Sequence, residues 1–127
     1  MVKSSYLLDT HILIWWLKEN PRLTPLVKKL LADRQNTIYI SVINIWEMYI
    51  KVNKQKLELP RNWEKVIEKT GFNVLPVSLL HVRELSKLGE FHKDPFDRML
   101  IAQAQSEKLT IITDDVKIRK YKVKVKF

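Results

Sequence analysis

The stretch "SYLLDTHILIWWL", residues 5–17, sets an acid between two apolar runs. The run that ends at Asp9 has the length of a short buried strand, and a helix is predicted to begin at Thr10 and run to about residue 18. A carboxylate in such surroundings is costly to bury without a partner. A helix cap, a structural ion pair and a metal site are the three ordinary reasons to place one there. The remainder of the chain has to choose among them.

Working outward, the same change of period recurs. Pro21 breaks the first helix, and "LTPLVKKLLADR" resumes helical spacing with Leu26, Val27, Leu30 and Leu31. "NTIYIS" (36–41) is a β-branched strand that feeds into "VINIWEMYIKVNK", an amphipathic helix. Pro60 opens a further helix, "RNWEKVIEKTG", closed by Gly71. "FNVLPV" is a third short strand, and "SLLHVRELSKLG" a helix with a serine cap and a terminal glycine. "DPFDRMLIAQAQSEK" starts on the N-cap and N1 pair Asp94-Pro95 and leads to the strand "LTIIT". The tail "KVKVKF" alternates like a half-buried edge strand guarded by lysines. Strands alternating with helices predict an α/β fold, a mainly parallel sheet covered on its faces, in one domain over residues 1–127. In such sheets the working site lies beyond the carboxyl ends of the strands, near a topological switch point.

Composition narrows the chemistry. The chain of 127 residues is 46% apolar with only two glycines, which suits a folded core. No apolar run approaches the ~18 residues that span a bilayer, so no membrane partner is expected. The opening "MVKSSYLL" lacks a cleavage signature and reads as structure. Zero cysteines exclude disulfides, thiolate metal sites and cysteine nucleophiles, and permit a reducing cytoplasm as the compartment. A net charge of +9 favours a polyanionic partner, most simply nucleic acid, although an acidic protein satisfies the same field.

Most of the acids neighbour lysine, arginine or polar residues and read as solvated surface. Asp9, Glu47, Asp97 and the pair Asp114 and Asp115 instead lie in or against apolar sequence. Each has a bland explanation. Asp9 could cap the helix starting at Thr10, Asp114 or Asp115 could cap the short turn after the last central strand, and Asp97 falls at N3 behind Asp94. Glu47 is harder to dismiss, because Ile43 and Ile50 share its helix face and its one easy partner is Lys51. Together, two strand ends and two apolar helix faces can bring these acids to one pole of the sheet. Packed carboxylates repel unless a cation neutralises them, and an all-oxygen set selects a hard ion, Mg²⁺ or Mn²⁺. Acids gathered inside a basic protein have the charge layout of a metal-dependent nuclease.

The segments "YLLDTHILIWWL", "SVINIWEMYIK" with "KLELP", "HKDPFDRMLIAQAQSEKLTIITDD" and "IRKYKV" together resemble the PIN-domain ribonucleases, and among them the VapC-type toxins of toxin–antitoxin pairs. The resemblance covers nearly the whole chain. It implies a three-layer α/β/α domain with a central mainly parallel sheet. It also implies a Mg²⁺- or Mn²⁺-dependent endoribonuclease acting on RNA, a homodimer, and a cognate antitoxin that holds it inactive. By motif it carries the catalytic and metal-holding acids onto Asp9, Glu47, Asp97 and Asp115, with Asp114 the alternative fourth acid. Thr10, Ser41 and Thr113 match hydroxyls near the acids, and Arg98 matches an arginine that could serve substrate, an internal acid or the antitoxin.

On this basis no side-chain nucleophile is required. His11, inside an apolar helix, is expected to pack in the core, and His92 to support the loop before Asp94. Trp15, Trp16, Trp46 and Trp63 could stack bases, but core packing or an interface suits their apolar neighbourhoods better. Two other classes stay open: an RNA-processing nuclease without an antitoxin, and a binding module whose acids are only caps and ion pairs.

Overall fold

The period-2 alternation of the first strand is realised literally. In the computed structural model, which describes residues 4–127, β1 (Ser5–Leu8) turns Tyr6 and Leu8 to one core and Leu7 to another. The part of the N-terminal expectation that falls on residues 1–3 lies outside the described residues. β2 (Thr37–Ser41) repeats the pattern with Ile38 and Ile40 against Tyr39, and β4 (Thr110–Ile112) with Ile112 against Ile111. The sheet therefore has an apolar layer on each face, as the predicted parallel α/β class requires. Its order is β3-β2-β1-β4-β5, where β3 is Asn73–Leu75 and β5 is Val125–Lys126, and every pairing is parallel.

One core holds Ile12, Leu13 and Leu17 of α1 (Thr10–Leu17), Val27 and Leu31 of α2 (Pro25–Ala32), and Trp63 and Ile67 of α4 (Trp63–Lys69). The other holds Leu100, Ile101 and Ala104 of α6 (Pro95–Glu107), with Ile43 from α3 (Val42–Asn53). Helix α5 (Leu79–Ser86) packs mainly on α6. Burial of each such leucine or isoleucine contributes about 1.5–3 kcal/mol.

Element boundaries moved where local chemistry overrode spacing. α4 begins at Trp63, directly after the two-residue turn that follows Pro60, and Gly71 ends it with φ 79° as expected. The third strand keeps only Asn73–Leu75, because Pro76 has no N–H to continue the ladder. α5 has the serine cap, Ser78 accepting from the His81 N–H, but it stops at Ser86 on Lys87, so Gly89 does not terminate it.

Strand β1 pairs with β2 on one side and with β4 on the other. The chain thus winds outward through β2 and β3, then crosses back to place β4 beside β1. That reversal is a topological switch point, and the carboxyl ends of β1 and β4 open there side by side. The start of α3 is latched to the same spot. Asn44 accepts from the Ser41 N–H (2.7 Å) and donates to the Leu8 carbonyl (3.1 Å) and Thr10 Oγ1 (2.9 Å), while fully buried. Replacing Asn44 by alanine strands these partners, and urea unfolding should read a loss of roughly 2–4 kcal/mol. A loss within about 0.5 kcal/mol, the range of ordinary surface changes, would mean that the latch does not hold α3 to β1.

Candidate active site

Because Leu8 and Ile112 are register partners, the next residues of each strand, Asp9 and Thr113, emerge together. The Asp9 N–H continues the ladder to the Ile112 carbonyl at 3.1 Å. Asp9 occupies the N-cap position of α1, yet its side chain makes no cap bond. Only 2% exposed, its carboxylate accepts the Thr113 hydroxyl at 2.5 Å and faces His11 Nδ1 at 3.0 Å. Capping is therefore not the purpose of this side chain. Thr113 Oγ1 in turn accepts from the Asp115 N–H at 3.0 Å, so one hydroxyl fixes both strand-end acids.

Asp97 arrives from α6. Asp94 takes the cap, accepting from the N–H groups of Phe96 (2.8 Å) and Asp97 (3.1 Å), which frees the Asp97 carboxylate to project forward. It meets His92 Nε2 at 3.1 Å, and the same nitrogen lies 2.9 Å from Asp115 Oδ2. One ligand atom each from His92, Asp97 and Asp115 falls within a 4.8 Å span, close enough for a single ion. Asp115 also caps the following turn by accepting from the Lys117 N–H at 2.9 Å, so capping and site geometry coincide there. Asp114, half-exposed, pairs with His11 Nε2. Glu47 is buried on α3 with Oε2 on Lys51 Nζ at 2.9 Å, and its buried Oε1 has no hydrogen-bond partner among the described residues.

Charge density at this pole is high enough to alter protonation. Burial, followed by the charges of Asp9, Asp94, Glu47 and Asp115, pushes the Asp97 carboxyl up to about 8. For Asp115, burial works upward, but the bonds donated by the Lys117 N–H and the His92 ring outweigh it and hold the group below its usual range. Burial works to lower His11, yet its contacts with Asp9 and Asp114 raise it to about 9, so it is charged at neutral pH.

Two histidines thus stand where the sequence reading placed none. His11 sits in the first turn of α1, at the open end of the sheet, and spans Asp9 and Asp114 in place of packing in the core. His92 does support its loop, accepting the Asp94 N–H on Nδ1, but its other face joins two acids. Neither residue was separable from structural histidines by spacing alone. Of the supporting residues, Thr10 receives Asn44, and Ser41 donates to Gln103 at 2.6 Å while capping α3. The Arg98 guanidinium is spent on the carbonyls of Gly89 (2.9 Å) and His92 (3.2 Å) and on the Tyr121 hydroxyl, so in this structure it clasps the loop instead of serving an acid. Trp63 is buried and Trp15 and Trp16 pack on the core, whereas Trp46 is 56% exposed, edge-on to Phe96.

These shifts fix how the metal-free protein responds to pH. Folded Asp97 keeps its proton up to about pH 8 whereas the unfolded chain loses it near 3.8, so stability falls as pH rises across that window. His11 acts in the same sense between 6.5 and about 9. Asp115 acts oppositely, its contribution being lost as pH falls below 3.8. In EDTA the protein should be most stable in mild acid. Asp97→Asn should stabilise it by about 1–3 kcal/mol near pH 8 and hardly at all near pH 4, as read by thermal melts. A pH-independent difference would show that Asp97 does not carry the strain.

Residues 6–124 match the PIN domain. No curated protein matches the chain. Among solved structures it is similar in fold to VapBC2 of Rickettsia felis bound to a DNA fragment from its promoter (TM-score 0.73, 20% identity, 96% of this chain and 97% of that chain covered). It is similar also to a toxin-antitoxin complex from Klebsiella pneumoniae (TM-score 0.69, 22% identity, 96% of each chain). DNA-bound VapBC from Salmonella typhimurium gives a TM-score of 0.68 at 19% identity, covering 99% of this chain and 98% of that chain. A domain match that begins inside β1, ends just short of β5 and encloses every acid at the switch point is a match to the whole working unit, and the chain belongs to the PIN-domain family.

Proposed function

We propose that this chain is a metal-dependent endoribonuclease that hydrolyses RNA phosphodiester bonds and acts in the cytoplasm as the toxin of a toxin–antitoxin pair. The observation that carries the proposal is the linked set Asp9–Thr113–Asp115–His92–Asp97 at the switch point of a chain with net charge +9. The donor set suits a hard cation. Burial, together with repulsion among its acids, keeps Asp97 protonated near neutrality, and among the described residues buried Glu47 Oε1 has no other partner. Asp9, Asp97 and Asp115 would hold Mg²⁺ or Mn²⁺, with Glu47 beside them holding the ion or orienting water. When bound, such an ion makes water acidic enough to supply hydroxide and neutralises charge on the attacked phosphate.

The remaining work falls to the chain itself. Thr113 keeps Asp9 and Asp115 in register, and Lys51 holds the second oxygen of Glu47 so that Oε1 stays aimed inward. The positive surface gathers the RNA backbone from solution. Single-stranded or looped RNA suits an open pole of this kind, since its phosphates are accessible. An antitoxin partner is supported by the toxin–antitoxin complexes among the similar folds. A homodimer is supported by the apolar side chains that α5 leaves exposed, Leu79, Leu80 and Val82. Among the described residues no helix is long and apolar enough to cross a membrane.

Purified protein should cleave RNA with Mn²⁺ or Mg²⁺, and EDTA should abolish cleavage. Asp97→Asn, with its fold verified, should reduce the rate at least about 100-fold, beyond the usual loss for residues that only orient a ligand. RNA binding without cleavage, unchanged by the substitution, would replace the nuclease with a binding module.

A further inference from the structure

We infer that His92 is a positioning residue of the acidic site: its Nε2–H spans the carboxylates of Asp97 and Asp115 and sets their separation, and the ring is not itself a ligand of the cation. This inference rests on the metal-dependent reading above. Proximity alone would admit the opposite, since His92, Asp97 and Asp115 lie within reach of one ion. The direction of the hydrogen bonds decides between the two.

His92 is 7% exposed and held on every side. Its backbone N–H donates to Tyr121 Oη at 2.9 Å, and its carbonyl accepts from Arg98 at 3.2 Å. Nδ1 accepts the backbone N–H of Asp94 at 3.1 Å. A ring nitrogen that accepts from an amide carries no proton, so the neutral imidazole bears its proton on Nε2. That proton points at Asp115 Oδ2, 2.9 Å away, and Asp97 Oδ2, 3.1 Å away. A histidine that ligates a metal has the reverse pattern, with one nitrogen bare toward the ion and the other donating to a carbonyl or carboxylate.

Moving the ring proton from Nε2 to Nδ1 would set it against the Asp94 N–H. That N–H cannot turn away, because the Asp94 side chain caps α6 through Phe96 and Asp97. The clasp extends further: Arg98 and Tyr121 both bind the Gly89 carbonyl, at 2.9 and 2.7 Å, closing the loop that carries His92. Arg98 thereby acts on the site through His92, which accounts for an arginine in "DPFDR" that touches none of the acids.

The test uses the full chain and Mn²⁺ as the probe. In ¹⁵N-labelled, metal-free protein, long-range ¹H–¹⁵N correlation should place the His92 proton on Nε2. Electron spin-echo modulation of the Mn²⁺-loaded protein should lack a directly bonded histidine nitrogen. His92→Gln, which restores an N–H donor near the Nε2 position, should keep Mn²⁺ affinity within about threefold, whereas His92→Ala should weaken it roughly 10–100-fold. A proton on Nδ1, or a bonded nitrogen signal that His92→Gln abolishes, would overturn the inference, whether or not His92→Ala folds. Absence of Mn²⁺ binding by the unaltered chain would instead sink the metal-dependent reading, and the cation-site role of His92 with it.

Discussion

Everything at the working end of this protein depends on Asp9 being ionisable and almost wholly buried where β1 and β4 part. Water is excluded there, and the usual compensation, a full ion pair in the core, is only partly available. The carboxylate is met by one hydroxyl, from Thr113, and by the edge of a half-exposed histidine. Parallel pairing of β1 with β4 makes this possible, since it delivers two strand ends to the same point without a loop between them. Had the strands been ordered by sequence, Thr113 and Asp115 would have opened elsewhere on the sheet. The topology is what turns isolated acids into a site.

The strain created there is held by a framework of hydrogen-bonded polar groups. Asn44 ties α3 to the end of β1, and Ser41 ties it to Gln103 of α6, both out of contact with water. Tyr121 and Arg98 fasten the loop before α6. Such bonds are individually modest, about 1 kcal/mol net, but leaving their members unpaired inside the protein costs more. They therefore act less as sources of stability than as constraints on which way each carboxylate can face. A site that repels itself needs that constraint, because the relaxed alternative is for the acids to turn outward into water.

Much of this was legible in the sequence. The alternation in "YLL" and "TIYIS" fixed the faces of the sheet, and Glu47 and Asp97 stood out because apolar neighbours flank them on their helices. Local patterns carry that information, since each depends on residues a few positions apart. His11, His92 and Arg98 were not legible, for a common reason. Each role is completed by a hydrogen bond to a partner 23 to 103 positions away or to a backbone carbonyl, which has no signature in residue type. Trp46 is a different case: its apolar neighbours on α3 admitted core packing or an interface, and its own direction is outward, edge-on to Phe96. Hydrophobic content predicts that a helix is packed, not which of its large side chains is left over.

The electrostatic layout gives the site its logic. A chain of net charge +9 favours a polyanionic partner, yet on the proposed reading the phosphate has to arrive where Asp9, Glu47, Asp97 and Asp115 gather. A proton on Asp97 removes one charge from that region but offers nothing that would draw in a phosphate. A divalent cation removes two and presents a positive face to the phosphate as well. On the proposed reading, metal and RNA should therefore each bind better in the presence of the other, by the reciprocity that governs any pair of linked ligands. On this view the pole is poorly suited to RNA until it is loaded, and the basic surface supplies encounter without reaction. Binding and chemistry would thus be separated in one small fold, with the loading of the carboxylates deciding when the second follows the first.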